Sequence, residues 1–355
     1  MKILLISHYW HNNSHHSLSS GYERLAYYLS ELNHNITVLT CGKINSEINL
    51  KNNLFLITRK VPITNFFFEK RLFLSYQALK IAKNFDIIHT LYSDVGLFPS
   101  LKYPTIITEH IVKELDKSDL WLKYKSLLQK AIYKKAELII AVSQNLKLTL
   151  EEKYRLKDKV IFIPHGIDTK VFKPKGLSEA LIAKKNHLLH KHKFLCFSCG
   201  IQGIDSSSFI ETVKQFPQIL FIVTGRKENV RLTNVINTGN ISEEKLIEYY
   251  SMADFCFKPL KFATANNAIL EAMAMGKVTI TNKIDGITDY LDNSCGYLSL
   301  SVSDFPKLFE RAMSNKNEVE EKGEKAREKA EREFSWEVIA PKIIKVYQQV
   351  LRNNI

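Results

Sequence analysis

The sequence predicts an α/β protein with two doubly wound parallel sheets, and three observations carry that prediction. Apolar strand-like runs alternate with helical stretches along the whole chain. Many of those runs are continuous Val, Ile, Leu and Phe, as expected of strands covered on both faces by helical crossovers. The chain has 355 residues, 45% of them hydrophobic, which is enough for two domains with separate cores.

Taken in order, the strands expected in the first half are KILLIS, ITVLT, LFLIT, DIIHT, TIITE, ELIIAVS and VIFIP. After the first comes a long loop, HYWHNNSHHSL, and then SSGYERLAYYLSEL, in which Ser19, Ser20 and Gly21 open a helix. Small residues there let a ligand approach the backbone, and free N–H groups at a helix start favour anions. Plain capping by Ser19 or Ser20 explains the same residues. The GxGxxG fingerprint of dinucleotide-binding enzymes is absent. His110 closely follows TIIT, where side chains reach the crevice at the carboxyl ends of strands. Glu109 beside it is a second ionisable group, and a buried histidine bonded to backbone is the alternative. His89 lies inside its own run and reads as structural.

The join falls near IPHGIDTKVFKPKG, Ile163 to Gly176, with two prolines and two glycines. This gives domains of 1–170 and 171–335, then a last helix at 336–355. After a polar, basic linker or surface helix, LSEALIAKKNHLLHKHK, the second half offers FLCFS, ILFIVTG, DFCFKP, KVTIT and CGYLSL. Between the last two pairs of strands lies FKPLKFATANNAILEAMAMGKVTI. Thr264 or Asn266 can cap its helix, and Gly276 suits the position after its end. Glu271 is the one charged residue between Lys261 and Lys277. A carboxylate can accept from both hydroxyls of a ribose while the helix start faces phosphate oxygens. Spacing alone leaves that reading and an exposed edge position equally open. The chain ends in a charged helix, a break near Phe334–Trp336 and an amphipathic helix.

Composition narrows the classes. The five cysteines are odd in number, and CFSC, Cys196 to Cys199, sits in an apolar run without a second pair, so it reads as buried small residues and not as a metal or redox site. His187, His190 and His192 lie in a lysine-rich surface segment without carboxylate or cysteine company. The cysteine usage suits a reducing cytoplasm. The first apolar run is too short for a signal peptide, and no segment has the length of a membrane span. Net charge is +13, and residues 1–170 hold 24 Lys and Arg against 15 Asp and Glu. KYKSLLQKAIYKK, with Lys130, Lys134 and Lys135, makes a basic amphipathic helix that can lie on anionic lipid or simply be a solvated face. FFFEKRLF, Phe66 to Phe73, adds aromatics beside Lys70 and Arg71. No nucleic-acid module appears.

SSGYERLAYYLSELNHNITVLT, AVSQNLKLTL, VIFIPHGIDTKVFKP, NISEEKLIEYYSMADFCFKP, ILEAMAMGKVTI and FSWEVIAPKIIKVY, in that order, resemble the successive signatures of retaining GT-B glycosyltransferases of family four. The resemblance spans nearly the whole chain. It implies two Rossmann-like domains facing an interdomain cleft, with the last helix packing back on the first. It implies transfer of a sugar from a nucleotide-diphosphate donor, with retention, to a glycan or lipid-linked saccharide, with no metal and no cofactor. It places the donor mainly on the second domain and the acceptor on the first.

In the family's pair of glutamates eight positions apart, the second falls on Glu271 and the first on Ala263, which has no carboxylate. Thr264, Ala265 and Asn266 occupy the donor loop. Gly21 matches the loop near phosphate and acceptor, with Ser20 on the acceptor side. His110 matches a histidine near the donor sugar. His165 and Gly166 match the signature at the domain junction and read as structural, shaping cleft and hinge. The usual arginine and lysine after Gly200 are absent, with Ile201, Gln202 and Gly203 in their place. Arg226 and Lys227, or Lys258 and Lys261, are candidates to replace them at the diphosphate. The base pocket is expected around NTGNIS, Asn237 to Ser242. The expected setting is the cytoplasm, peripheral to the inner membrane face. The alternatives are a GT-B-shaped binding or partner subunit without transfer, and a sugar-nucleotide epimerase.

Overall fold

The computed structural model describes residues 1–7, 10, 20–61, 67–110, 120–200, 203–225 and 232–353. These form two units. One holds the described residues up to His165 together with the chain from Trp336 on, and the other runs from Gly166 to Ser335.

The first unit is laid down as β1 (Lys2–Ile6), α1 (Ser20–Glu31), β2 (Asn35–Gly42), β3 (Ser46–Lys51), β4 (Leu54–Lys60), α2 (Phe67–Ile81), β5 (Ile87–Thr90), β6 (Thr105–Glu109), α3 (Leu120–Lys135), β7 (Leu138–Ala141), α4 (Gln144–Tyr154) and β8 (Val160–Phe162). Its sheet has the order β3-β4-β2-β1-β5-β6-β7-β8. Ile3 and Leu5 of β1 point into one core, with Leu25 and Leu29 of α1, while Leu4 and Ile6 point into another, with Leu74 and Ala78 of α2. Burial on both faces is what makes that strand read as an unbroken apolar run. The neighbouring strands pair in parallel except at the edge, where β3 runs antiparallel to β4 across a turn at Asn52 and Asn53. That strand escapes sequence reading because it is an exposed edge with one covered neighbour and carries no apolar run.

The second unit follows with α5 (Glu179–Leu188), β9 (Phe194–Ser198), α6 (Ser206–Gln215), β10 (Ile219–Thr224), β11 (Val235–Gly239), α7 (Glu243–Met252), β12 (Phe255–Lys258), α8 (Asn267–Ala274), β13 (Thr279–Asn282), β14 (Tyr297–Ser299), α9 (Phe305–Ser314) and α10 (Lys316–Lys329). Its sheet is wholly parallel in the order β11-β10-β9-β12-β13-β14. This is the doubly wound order of nucleotide-binding sheets, with the switch point between β9 and β12. Leu195 and Phe197 of β9 join a core with Tyr250 of α7 and Leu270 of α8, and Cys196 joins the opposite core with Phe209 of α6 and Phe309 of α9.

Past an extended Ser335, the chain forms α11 (Trp336–Asn353) and rejoins the first unit. Ile339, Ile343, Tyr347 and Val350 of α11 pack in the same core as Leu5 and Leu25. Tyr347 also reaches His89 of β5, whose ring nitrogens lie 2.6 Å from the Tyr347 hydroxyl and 2.7 Å from the Thr108 hydroxyl. Burial pushes His89 down to about 3, so it stays neutral and serves the core.

Candidate functional site

In the second unit the switch point gathers the side chains of Lys258, Asn266, Glu271, Tyr250 and Cys199. Lys258 ends β12 and is 3% exposed. Its ammonium donates to the Cys199 carbonyl and, at 2.7 Å, to the Gly200 carbonyl, just past β9. A positive charge is thus built into the loop where the sequence lacks its expected arginine and lysine. Asn266 caps α8, its side-chain oxygen accepting from the Ile269 N–H at 3.4 Å. Glu271 follows in the second turn and is 2% exposed, so the edge position is excluded. Its Oε2 accepts from the Tyr250 hydroxyl at 3.0 Å and lies 3.8 Å from the Cys199 thiol. Burial pushes Glu271 up to about 8, against the pull of the Tyr250 hydrogen bond and the Lys258 charge and with help from Glu243. The Cys199 thiol is itself pushed up, first by burial and then by Glu271.

Thr264, Ala265 and Asn266 form the half-buried loop into α8. Gly286, at φ +81°, lies beneath it, and a Cβ there would strike the Ala263 carbonyl and stand 2.8 Å from Thr264 Cα. Lys261 is exposed and 3.8 Å from Asp205, the cap of α6. Arg226 and Lys227 lie outside the described residues. The expected base-pocket stretch divides: Asn237 to Gly239 end β11, and Ser242 caps α7. There the Gly239 carbonyl accepts from the Gly225 N–H at 2.9 Å and the Thr224 hydroxyl at 2.7 Å.

In the first unit the switch point lies between β1 and β5, and the loops beyond the strand ends again carry the candidates. His110 follows β6, with its ring centroid 5.3 Å from Tyr92 and 5.8 Å from His165. His165 is in turn 5.7 Å from the Trp336 indole. Gly21, in the first turn of α1, is covered by His165, and a Cβ on it would meet His165 Cε1 at 2.5 Å. The absence of a side chain at Gly21 therefore serves this close approach. Ser20 is the first residue of α1.

Glu109 is buried, and its carboxylate accepts from the His110 N–H at 3.1 Å and the Tyr133 hydroxyl at 2.6 Å. Gln129 donates to Ser93 at 3.2 Å and to Glu109 at 3.5 Å. Arg71 is not a surface cation beside exposed aromatics: it is ion-paired with Asp94 and lies over the Tyr92 ring at 5.4 Å. Phe66 lies outside the described residues.

Sequence reasoning singled out Glu271, Lys258, Glu109 and His110 but missed the tyrosines that hold the two carboxylates. Tyr250 lies 21 residues before Glu271, and Tyr133 lies 24 after Glu109. No local pattern links such partners.

Helix α3 divides its apolar residues. Ile132 and Tyr133 face the core, while Leu127 is 68% exposed on the outside with Lys130, Lys134 and Lys135. Among the described residues no helix is long and apolar enough to cross a membrane, and no group of three or more His, Cys, Asp or Glu could hold a metal ion.

Residues 20–171 match the model of Glycosyltransferase Family 4, and residues 207–315 match that of Glycosyl transferases group 1. The chain is 25% identical over 296 residues to a processive diacylglycerol alpha-glucosyltransferase of Acholeplasma laidlawii, covering 76% of this chain and 86% of the relative. Its fold is similar to that of sucrose-phosphate synthase from Thermosynechococcus elongatus, with a TM-score of 0.83 at 18% identity over 99% of each chain. It is also similar to Anabaena HepE in complex with UDP-glucose, with a TM-score of 0.77 at 14% identity over 98% of this chain and 100% of that one. With two parallel-sheet units, both halves matched in order and neighbours sharing the fold along its length, the chain belongs to the GT-B glycosyltransferases described by these two family models.

Proposed function

We propose that the chain transfers a sugar, with retention of configuration, from a nucleotide-diphosphate donor to a lipid-linked or glycan acceptor. One observation carries the reading. A lone carboxylate, Glu271, is buried at the switch point of the second sheet, one turn inside a helix whose capped start follows the Thr264–Asn266 loop.

In this reading Glu271 takes the ribose hydroxyls, and the loop amides take the diphosphate with the α8 dipole behind them. The departing diphosphate gains negative charge, and fixed positive groups lower that barrier more than any other single effect. Lys258 supplies such a charge through its grip on the β9 loop, and Arg226 and Lys227 are candidates to add to it. Ala263 offers no carboxylate to the donor sugar; by the family resemblance His110 is the candidate for a sugar hydroxyl, and Ser20 and Gly21, at the start of α1, are the candidates on the acceptor side. No bound metal is needed, because protein groups carry the neutralisation.

Retention is supported by the alpha-glucosyl product named for the Acholeplasma relative, and a lipid acceptor by the diacylglycerol in the same name. The nucleotide donor is supported by UDP-glucose in the HepE neighbour. The exposed lysines of α3 suit a peripheral place on the anionic inner membrane face.

Incubation with a panel of sugar nucleotides and a lipid extract, with released nucleoside diphosphate measured, tests the reading. Acceptor-dependent release is expected, and an isomerised donor without transfer would sink it. Binding without release would favour a GT-B protein that holds a donor without transferring it, the reading to which Ala263 points.

A further inference from the structure

Tyr250 carries one hydroxyl hydrogen and faces two acceptors at the same distance, the Ala268 carbonyl and Glu271 Oε2, each 3.0 Å away. One hydrogen cannot serve both. With Glu271 ionised, the hydroxyl turns to the carboxylate and its contact with Ala268 is left without a hydrogen. With Glu271 protonated, the carboxyl donates to the Tyr250 oxygen, Tyr250 donates to Ala268, and both contacts are satisfied. Oε1 receives no hydrogen bond from the described residues.

We propose that Tyr250 is a positioning residue that turns its hydrogen between Ala268 and Glu271, so that the unliganded site stores a proton on Glu271 and gives it up when a vicinal diol binds. The inference rests on the reading that Glu271 takes the donor's ribose. The diol hydroxyls keep their hydrogens and donate them to the carboxylate oxygens, and the stored proton leaves to solvent.

The surroundings favour the protonated state. Glu271 is the one ionisable residue of α8. From α7 come Tyr250 and, in its first turn, Glu243, whose charge repels. Cys199, past β9, and Cys256, on β12, are buried thiols whose ionisation burial opposes, the second pushed up to about 12. Lys258 attracts, and burial outweighs it.

Two measurements decide the matter. The first is calorimetric titration with UDP-glucose, ADP-glucose and GDP-mannose, in buffers of different ionisation enthalpy. The phosphates of these probes are diesters with no proton to give near neutral pH. Whichever probe binds is expected to release close to one proton at about pH 7, with release half gone near pH 8 and nearly absent by about pH 9. In Tyr250→Phe the ionised carboxylate loses its donor, so binding at about pH 7 weakens roughly tenfold and the fading midpoint moves to higher pH. A Tyr250 that only packs would leave the midpoint in place, and that result overturns the proposal. Binding without proton release overturns it too while sparing the ribose reading, whereas binding of none of the three overturns both.

The second measurement needs no ligand. A carboxyl raised in the folded state contributes stability below its ordinary value of 4.5, and that stability is lost as the pH rises to about 8. Glu271→Gln should flatten the unfolding stability across that window. Identical pH profiles for the two proteins would show that no proton is stored.

Discussion

Single residues in this molecule act through partners that lie far away in sequence. Glu109 is the clearest case, since its carboxylate ties the backbone of His110 to the hydroxyl of Tyr133 on α3. Burial and the neighbouring Glu109 charge keep the Tyr133 phenol protonated, with its ionisation pushed well above the ordinary value. Tyr133→Phe removes a hydrogen bond to a charged group, which costs about 1.5–3 kcal/mol. Chemical or thermal unfolding should show that loss. Turnover should fall and the Michaelis constant for the donor should rise together through displacement of His110, because Tyr133 is fully buried and acts only through Glu109. Kinetic constants unchanged beside the lost stability would count against the link. At this scale the sequence was readable for residue type and position in the chain. Glu271 stood out because it is alone between two lysines, and His110 because it follows a strand. Their exposure and protonation depend on Tyr250, Cys199, Tyr133 and Gln129, which come from other elements and leave no spacing to detect.

Elements were legible where burial repeats along the chain. β1, β9, β10 and α8 are buried along all or nearly all of their length and announced themselves as apolar runs. β3 and β11 did not, because the first is exposed along almost its whole length and the second is only partly covered. The basic helix was placed correctly, but its apolar residues were assigned to one face, and the structure divides them between the core and the outside. Lys159 donates to the Lys134 and Ala136 carbonyls, each at 2.9 Å, and so fixes the carboxyl end of α3 with its outer lysines exposed. Reversal of Lys130, Lys134 and Lys135 to glutamate removes attraction worth about 1 kcal/mol per residue at an anionic surface. Co-sedimentation with vesicles rich in anionic lipid should then drop by roughly a hundredfold in partition coefficient. A wild-type protein that binds neutral and anionic vesicles alike would rule out the lipid-facing role.

At the scale of the whole molecule, the fold followed from alternation, length and the Pro- and Gly-containing join. The division between units falls at His165 and Gly166, inside the predicted join, and the chain crosses back at Ser335 and Trp336. Eight residues of α11 are buried, and several close the core built by β1, α1 and β2. Each of the larger of these side chains is worth about 1.5–3 kcal/mol when covered, so their combined loss matches or exceeds the roughly 5–15 kcal/mol that holds an ordinary domain together. A chain cut before Trp336 should yield a protease-sensitive first unit beside a resistant segment from Gly166 to Ser335. Survival of both would show that the first core closes without the helix. The same helix sets a timetable for synthesis. The ribosome builds the strands of the first core before the second unit and the helix that seals them after it, so the nascent first unit waits with a bare apolar flank while the second emerges and folds, and a chaperone has that interval in which to cover it.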